Sequence, residues 1–365
     1  MYMKEQIREA AYSLGIEIIG FTDVLDYSYL WEFMYNRVKS GYNSEFEETD
    51  INKRLDVRSV FQNCRSIIAV GLPYGEGYRK LVTRTKGLLS VSSYGEDYHK
   101  KLGILLSNIA EEIKKEIYFE YKICVDTSPL LDREICKNAG LGSYGKNSLL
   151  INEKFGSFIN LGYLLTDLDI DCDNKINNID ICGECNLCIK NCPNSAILKE
   201  GGINSKKCIS YLTQTKNYIP FEYRKNMRNQ IYGCDVCQLV CPKNIINSQK
   251  EPSHDYGSLL IDVEELMLMN NKEFTSKYGY LAGSWRGKNI WKRNALITIG
   301  NLKLDNMYDL VENELKNPSD MIKMYAAWCL LRLNKIDSKK TLLNRMKFEN
   351  NEVKEEYIKL MEAEL

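Results

Sequence analysis

The segment Cys182-Gly-Glu-Cys185-Asn-Leu-Cys188-Ile-Lys-Asn-Cys192-Pro193 decides how the chain is organised. Its cysteines follow the spacing C-x2-C-x2-C-x3-C-P. Bacterial ferredoxins use this spacing to hold four-iron, four-sulfur (4Fe-4S) clusters, and their fourth cysteine ligates the neighbouring cluster. The spacing therefore predicts two 4Fe-4S clusters, and a second set of cysteines has to lie elsewhere in the chain.

Cys234-x2-Cys237-x3-Cys241-Pro242 supplies the last three members of that second set. The spacing would place the first member at position 231, which is Ile, so we expect Cys208 to replace it. The crossover rule then groups Cys182, Cys185, Cys188 and Cys241 on one cluster, and Cys192, Cys208, Cys234 and Cys237 on the other. The alternative is a pair of structural zinc sites, which also use C-x2-C pairs.

The composition of the chain sets wider limits. Its 365 residues are more than one hydrophobic core usually contains, which favours several domains. Lys plus Arg equals Asp plus Glu at 49 each, so a nucleic-acid partner would need a local basic patch. No apolar run reaches the roughly 18 to 20 residues of a membrane span, and the N-terminus is charged. We therefore expect a cytoplasmic protein with reduced thiols.

The pattern of apolar residues predicts an α+β multidomain fold with three parts. Residues 1–170 alternate helical and extended patterns, typical of a mixed α/β domain, with strands at 16–24, 66–74 and 121–127 and a hairpin of 147–152 with 157–166. Residues 171–250 form a ferredoxin-like insert that bound metal has to stabilise. Residues 251–365 carry successive short helices, which we interpret as a HEAT-like α-helical domain.

Two motifs resemble cofactor fingerprints without matching them. Gly140-Leu-Gly-Ser-Tyr-Gly145 is a literal G-x-G-x-x-G, but it follows a helical pattern and precedes a strand, the reverse of the dinucleotide-binding context. We interpret it as a helix-ending turn that lets a ligand approach the backbone. Asp97-Tyr-His99 begins a pattern similar to D-x-H-x-x-G, the motif whose histidine ligates cobalt in several cobalamin enzymes. Its glycine is one place late, so His99 is not expected to ligate cobalt.

Asp126 is the candidate proton donor. The chain has only two histidines, His99 and His254, which leaves a carboxylic acid as the natural source of a proton. Asp126 follows a predicted strand and precedes Thr-Ser-Pro, where a partly buried carboxyl could keep its proton. An Asx-turn or a helix N-cap is an equally good interpretation of the same residue.

Four stretches of the chain resemble the epoxyqueuosine reductases. They are 125–133 (VDTSPLLDR), 139–147 (AGLGSYGKN), 208–216 (CISYLTQTK) and 231–242 (IYGCDVCQLVCP). The likeness runs from about residue 16 to residue 333 and includes Arg54, Asp97-Tyr98-His99 and Arg293-Asn294-Ala295.

The resemblance implies a cytoplasmic, cobalamin-dependent oxidoreductase in residues 1–170. The enzyme would use cob(I)alamin chemistry to reduce epoxyqueuosine, at the wobble position of tRNA, to queuosine. This is tRNA processing, and it would be the last step of queuosine biosynthesis. In this family the cobalamin is base-off, without a protein histidine on cobalt. Asp126 matches the family's proton donor, a role that needs a raised pKa. The implied corrin contacts, several of them through backbone, are Arg54, Asp126, Asn147, Leu150, Leu161, Ser210 and Asp235.

The resemblance also implies partners. The tRNA anticodon arm would bind at the start of the helical tail, where Arg286, Lys288, Lys292 and Arg293 alternate with tryptophans, and the modified base would flip into the corrin site. A low-potential electron donor is required, and we expect a monomer without a membrane partner. The residues alone also allow interpretations without a ligand. Arg54 would then be a solvated helix charge, and Leu150 and Leu161 would belong to the core of their strands. The four basic residues of the helical tail would form a solvated helix face.

Two other functions fit parts of the sequence. A cobalamin and iron–sulfur reductase of a small molecule, such as an organohalide, would keep the same cofactors, although secreted enzymes of that class usually carry a twin-arginine signal and lack a HEAT-like tail. A non-enzymatic electron carrier would keep both clusters without cobalamin.

Overall fold

The computed structural model describes residues 2–172, 179–199, 201–244, 251 and 254–363. The chain divides into two compact units. The first contains Met1–Arg79, Glu96–Lys206 and Val236–His254, and the second contains Lys80–Gly95, Lys207–Asp235 and Asp255–Leu365. The mixed α/β content agrees with the predicted fold class, whereas the three-domain layout and the HEAT-like grouping remain predictions. No helix within the described residues is long and apolar enough to cross a bilayer.

Nine short strands are assigned among the described residues. They are β1 Ile18–Asp23, β2 Ser66–Pro73, β3 Gly87–Leu89, β4 Tyr121–Cys124, β5 Ser143–Tyr144, β6 Leu150–Ile151, β7 Ile159–Thr166, β8 Gln230–Tyr232 and β9 Leu260–Ile261. In the first unit, β1, β2, β7 and β4 form one sheet in that order, and each neighbouring pair is antiparallel. The strands predicted at 16–24, 66–74 and 121–127 are therefore confirmed, with shorter bounds.

The helices vary from one turn to almost five turns. They are α1 Tyr2–Ser13, α2 Trp31–Lys39, α3 Ile51–Leu55, α4 Tyr98–Lys114, α5 Asp132–Asn138, α6 Leu187–Asn191, α7 Ile209–Leu212, α8 Phe221–Asn226, α9 Val236–Leu239, α10 Val263–Leu268, α11 Asn271–Tyr278, α12 Lys288–Leu302, α13 Tyr308–Asn313, α14 Asp320–Leu333, α15 Lys335–Arg345 and α16 Asn351–Glu362.

The sheet of the first unit is buried on both faces, which explains why its central strands are apolar without interruption. Successive side chains of a strand point to opposite faces. Ile67 of β2 belongs to the core cluster that contains Ile135 of α5. Ile68, the next residue, belongs to the cluster that contains Ile7 of α1 and Leu106 of α4. Helices on both sides of an antiparallel sheet therefore make three layers, and the loops that carry the candidate site residues leave from this frame.

The predicted hairpin of 147–152 with 157–166 is wrong. β6 pairs with β5, and β7 pairs with β2 and β4 in the middle of the sheet. A single bridge between Asn152 and Gly156 is all that joins the two predicted arms. β7 pairs with β2 along all eight residues on one edge and with β4 along four residues on the other, so both of its edges are occupied and the segment 147–152 pairs elsewhere.

The second unit contains the small sheet β8-β3-β9 and the helices from α10 onward. Its longest helix, α12, carries Arg293 and Asn294, both 0% exposed. The Arg293 guanidinium donates to the carbonyls of Leu212 and Thr215, and the Asn294 amide donates to those of Thr213 and Ile231. Because each buried donor meets a carbonyl, these two side chains fix the backbone that follows Cys208 and precedes Cys234.

Candidate functional site

Four cysteines of the first unit line one cavity. Cys182 and Cys185 come from the loop that leads into α6, Cys188 lies in the first turn of α6, and Cys241 follows α9. The cavity encloses about 270 Å³ of empty space, part of it open to solvent. Burial and the neighbouring thiols of Cys182 and Cys241 raise the pKa of Cys188. The structure thus brings together the four thiols that the crossover rule assigns to one cluster.

The donor set of this cavity fits a 4Fe-4S cluster. Such clusters take four cysteine thiolates as ligands, and all four ligating side chains here are cysteines. Among the residues that the structure describes, no three His, Cys, Asp or Glu side chains lie close enough together to hold a single metal ion. The four thiols surround a space and do not converge on one point. Their binding of a cluster remains a prediction.

The hairpin turn between β5 and β6 reaches the edge of this cavity. The backbone N–H of Lys146 donates to Cys182 Sγ at 3.4 Å. The Lys146 ammonium donates to the Gly183 carbonyl at 2.7 Å and to Asn186 Oδ1 at 3.1 Å, which ties the turn to the cysteine loop. Asn147, only 2% exposed, also lines the cavity.

The G-x-G-x-x-G motif has the geometry that its context predicted. Gly140, at φ +81°, ends helix α5, and Gly145 begins the turn of the hairpin. A Cβ on Gly145 would lie 2.6 Å from Ile151 Cδ1 and 2.7 Å from Asn147 Oδ1. Glycine is therefore needed at 145 to leave room for the Asn147 side chain beside the cavity.

The remaining four predicted ligands are divided between the units. Cys192 and Cys237 belong to the first unit, and Cys208 and Cys234 belong to the second. Each is partly buried. Cys192 Sγ accepts a hydrogen bond from the backbone N–H of Ala196 at 3.2 Å. The second ligand set remains a prediction from the cysteine spacing.

Asp126 occupies a strained turn just after β4. Its φ is +54°, and the N–H of Thr127 donates to the Val125 carbonyl at 2.6 Å, which makes a γ-turn centred on Asp126. The side chain is 64% exposed. Asp126 Oδ2 accepts from the Tyr98 hydroxyl at 2.9 Å and lies 3.5 Å from His99 Nε2. Asp126 does not cap the next helix, α5, whose N-cap residue is Leu131. The N-cap interpretation is therefore wrong.

The pKa of Asp126 is shifted in the direction opposite to the one expected for a proton donor. Partial burial opposes ionisation, but hydrogen bonds from His99 and Tyr98 outweigh it and hold the pKa of Asp126 below its usual range. His99 lies between two carboxylates, with Nδ1 2.6 Å from Asp97 Oδ1. Although burial disfavours the imidazolium, bonds to Asp126 and Asp97 raise the pKa of His99. At pH values between these two pKa values the proton of the pair therefore resides on His99.

A buried polar group supports the loop that carries Asp126. The Tyr163 hydroxyl donates to Asp132 Oδ1 at 2.6 Å and lies 2.8 Å from Ser128 Oγ. Burial, followed by the charge of Asp126, raises the pKa of Asp132 to about 6. Sequence reasoning missed Tyr98, Asp132 and Tyr163 and considered His99 only as a cobalt ligand. The one available signal was that 97–99 and 125–133 both belong to the family likeness.

The other predicted corrin contacts of the first unit differ in what they offer a ligand. Arg54 is no solvated charge, because its side chain is 13% exposed and pairs with Glu47 at 2.8 Å. Its Nε is buried without a partner among the described residues, so it could serve a polar group of a bound cofactor. Leu150 belongs to the hydrophobic core, and Leu161 packs against it. Leu150 can therefore offer only backbone.

The two predicted contacts in the second unit are engaged within that unit. The Ser210 carbonyl accepts from Thr213 Oγ1 and Gln214 Nε2, each at 2.9 Å. The buried Asp235 carboxylate accepts from Ser90 Oγ at 2.5 Å and from the Val91 N–H at 2.9 Å. Burial raises the pKa of Asp235 to about 6. A cofactor contact at Asp235 would have to use its backbone.

Two of the four predicted tRNA-contacting residues are inside the protein, which corrects that prediction. Arg293 is fully buried, and Lys292, 8% exposed at its side chain, pairs with Glu314 at 2.6 Å. The Glu314 carboxylate neutralises the Lys292 charge, and carbonyl oxygens accept the hydrogen bonds of the Arg293 guanidinium. Arg286 and Lys288 are partly exposed, and the Arg286 guanidinium stacks 4.6 Å from the ring centre of Trp285, which is 57% exposed.

Two protein-family models match the chain. Residues 181–244 match the 4Fe-4S double cluster binding domain, and residues 54–127 match the model described as "Epoxyqueuosine reductase QueG, DUF1730". The chain is 38% identical over 342 residues to the epoxyqueuosine reductase of Lactococcus garvieae (strain Lg2), which covers 91% of this chain and 96% of the relative. It is 36% identical over 365 residues to that of Staphylococcus aureus (strain NCTC 8325 / PS 47), covering 98% and 96%.

Solved structures resemble the whole chain. A crystal structure of epoxyqueuosine reductase with a tRNA-Tyr epoxyqueuosine-modified stem loop superposes with a TM-score of 0.92 at 32% identity, and the match covers 99% of both chains. The Bacillus subtilis reductase, with its aspartate-bearing catalytic loop swung out of the active site, gives a TM-score of 0.91 at 32% identity, covering 99% and 98%.

The grouping of Cys241 with the first three cysteines can be tested by iron analysis. Cys241→Ser should lower the iron content by about four atoms per chain, because one cluster loses a ligand. Cys172→Ser, which changes a cysteine outside both predicted sets, serves as the control and should keep all its iron. Unchanged iron in Cys241→Ser would remove Cys241 from the ligand set.

The charge pair at Asp126 predicts a specific pH dependence. We expect the pKa of His99 to lie above its ordinary value of about 6.5 and to fall in Asp126→Asn, as followed by NMR titration of the two histidines with His254 as the internal reference. The pair should stabilise the fold fully between the unfolded pKa values of Asp and His, about 3.9 and about 6.5. That stabilisation is lost as pH rises through the raised pKa of His99. An unchanged His99 titration in Asp126→Asn would contradict the pairing.

Proposed function

This chain belongs to the epoxyqueuosine reductase family, and from that premise we propose that it reduces the epoxide of epoxyqueuosine in tRNA to give queuosine. The observation that carries the proposal is the match over 99% of the chain to a reductase bound to an epoxyqueuosine-modified tRNA stem loop. The gathering of four cysteines at one cavity, inside the segment that matches a double cluster domain, supplies the electron-transfer chemistry that the reaction needs.

The reaction consumes two electrons and two protons. Both carbon–oxygen bonds of the epoxide break, a carbon–carbon double bond forms, and the oxygen leaves as water. Iron–sulfur clusters pass electrons one at a time, so two clusters in one chain suit a two-electron reduction supplied by a one-electron donor. Cobalamin, when bound, would supply a strongly reducing centre that attacks the epoxide, and Arg54 Nε and the exposed Asp126 are the side chains of the first unit that best fit it.

Asp126 and His99 would together handle the proton for the departing oxygen. The pKa of Asp126 is lowered and that of His99, 3.5 Å away, is raised, so the histidine would hold the proton before substrate binds. A ligand that covers the exposed carboxylate would remove water from it and raise its pKa. The proton would then move from His99 Nε2 to Asp126 Oδ2 and on to the epoxide oxygen, while Asp97 keeps the imidazole oriented through Nδ1. Asp126 would therefore become protonated, and able to act as the acid, only when substrate covers it.

The tRNA contact would use fewer residues of the helical tail than the sequence suggested. Arg286 and Lys288 remain candidates, and Trp285 beside Arg286 offers an exposed aromatic face on which a base can stack. We propose that the partner is the anticodon arm, since the relative of known structure binds a stem loop. The modified base would have to leave its stack to reach the reaction centre, as in other enzymes that act on a base.

The proton-donor role is tested by Asp126→Asn. The amide keeps the size of the side chain but cannot deliver a proton, so turnover on epoxyqueuosine-modified tRNA should fall by about 10²- to 10⁴-fold, the usual contribution of a general acid. Iron content should stay unchanged, and cobalamin should still bind because the amide keeps a polar oxygen at the same position, as measured by metal analysis and optical spectra.

Asp26→Asn is the matched control, because Asp26 is an exposed carboxylate whose hydrogen bonds, within the described residues, come from Ser28 in the same turn. It should keep full turnover. Full turnover in Asp126→Asn would instead eliminate the proposed role of Asp126.

A further inference from the structure

The Asn147 side chain has a buried hydrogen-bond donor without a protein acceptor. Asn147 is 2% exposed, and its Oδ1 accepts from the backbone N–H of Leu149 at 3.2 Å. Its Nδ2 is buried and makes no hydrogen bond to any residue that the structure describes. The same side chain lines the cavity of Cys182, Cys185, Cys188 and Cys241.

The orientation of this amide follows from its surroundings. A backbone N–H requires an acceptor, so the atom that faces Leu149 has to be the oxygen, and the NH₂ group has to be the other atom. A buried donor without an acceptor is costly. Protein atoms do not remove that cost here, whereas sulfur atoms inside the cavity would.

We propose that Asn147 Nδ2 donates a hydrogen bond to a sulfur of the cluster held by Cys182, Cys185, Cys188 and Cys241, and that this bond raises the cluster's reduction potential. The inference rests on the proposed function only through the presence of this cluster. Reduction adds negative charge to the cluster, so a donor stabilises the reduced form more than the oxidised form. Asn147 thus tunes the cluster through its side-chain amide.

The turn that carries Asn147 is held in place on several sides. Lys146 binds the cysteine loop through the Gly183 carbonyl and Asn186, and its own N–H already donates to Cys182 Sγ. The Arg133 guanidinium donates to the Ser148 carbonyl at 3.1 Å. A donor fixed in this way needs no rearrangement when the cluster gains an electron, which makes its effect on the potential strong.

The test is a redox titration, monitored by EPR, on anaerobically purified full-length protein without cobalamin or tRNA. It follows the cluster held by Cys182, Cys185, Cys188 and Cys241, which we call the first cluster. The signal of the first cluster is the one that disappears in Cys185→Ser. Asn147→Leu removes the donor, and Asn147→Asp replaces it with a carboxylate while keeping the acceptor for the Leu149 N–H. We expect a lower midpoint potential in both variants, lowest in Asn147→Asp, with the second cluster unchanged.

Asn152→Leu is the matched control. It removes an amide that donates to the Leu141 carbonyl next to the same hairpin but does not line the cavity, so the potential of the first cluster should stay at the wild-type value. An unchanged midpoint in Asn147→Leu would overturn the inference, as would an equal shift in Asn152→Leu. If Asn147→Leu fails to assemble the cluster, an unchanged midpoint in Asn147→Asp overturns it. None of these outcomes bears on turnover of tRNA, which tests the proposed function separately.

Discussion

The placement of three neighbouring cysteines and one distant cysteine around the same cavity is the constraint on which the rest of the structure depends. Three cysteines lie within seven residues, and the fourth, Cys241, lies more than fifty residues later. Two sets of hydrogen bonds within the first unit hold the loop after Cys182 and the segment after Cys241 in place. Lys146 binds the loop after Cys182, and Asn244, just after Cys241, accepts from the Ser157 N–H at 2.8 Å and donates to the Gln238 carbonyl at 2.7 Å. Polar contacts replace an apolar core there, so bound metal has to supply much of the stability.

The residues proposed for electron supply and for proton supply are held in place by different means within the first unit. The cysteines are positioned by loops that contact the hairpin turn, whereas Asp126 is positioned by a γ-turn at the end of β4 and by the first turn of α4. Strain of this kind persists only where the surrounding structure holds it. The bonds among Ser128, Tyr163 and Asp132 do so here. The B. subtilis relative, whose catalytic loop is swung out, shows that the corresponding loop can take another position in that protein.

The sequence predicted best what depends on local spacing. The grouping of Cys241 with the first three cysteines followed from ligand spacing, and the helix-ending turn at Gly140 followed from its context. The predictions that failed involve partners distant in sequence. The pKa of Asp126 is set by Tyr98 and His99, which lie on a different element. The burial of Arg293 depends on carbonyls about eighty residues earlier, and β6 found its partner in β5 because β7 was engaged by two longer strands.

The most direct measurement of the central claim is the amount of iron, acid-labile sulfide and zinc in protein purified without oxygen. Two 4Fe-4S clusters correspond to about eight iron and about eight sulfide per chain, with the brown absorption of iron–sulfur centres and an affinity for a corrinoid. The account predicts that result. Colourless protein that contains zinc, lacks sulfide and binds no corrinoid would contradict it and would leave the reductase chemistry without an electron path.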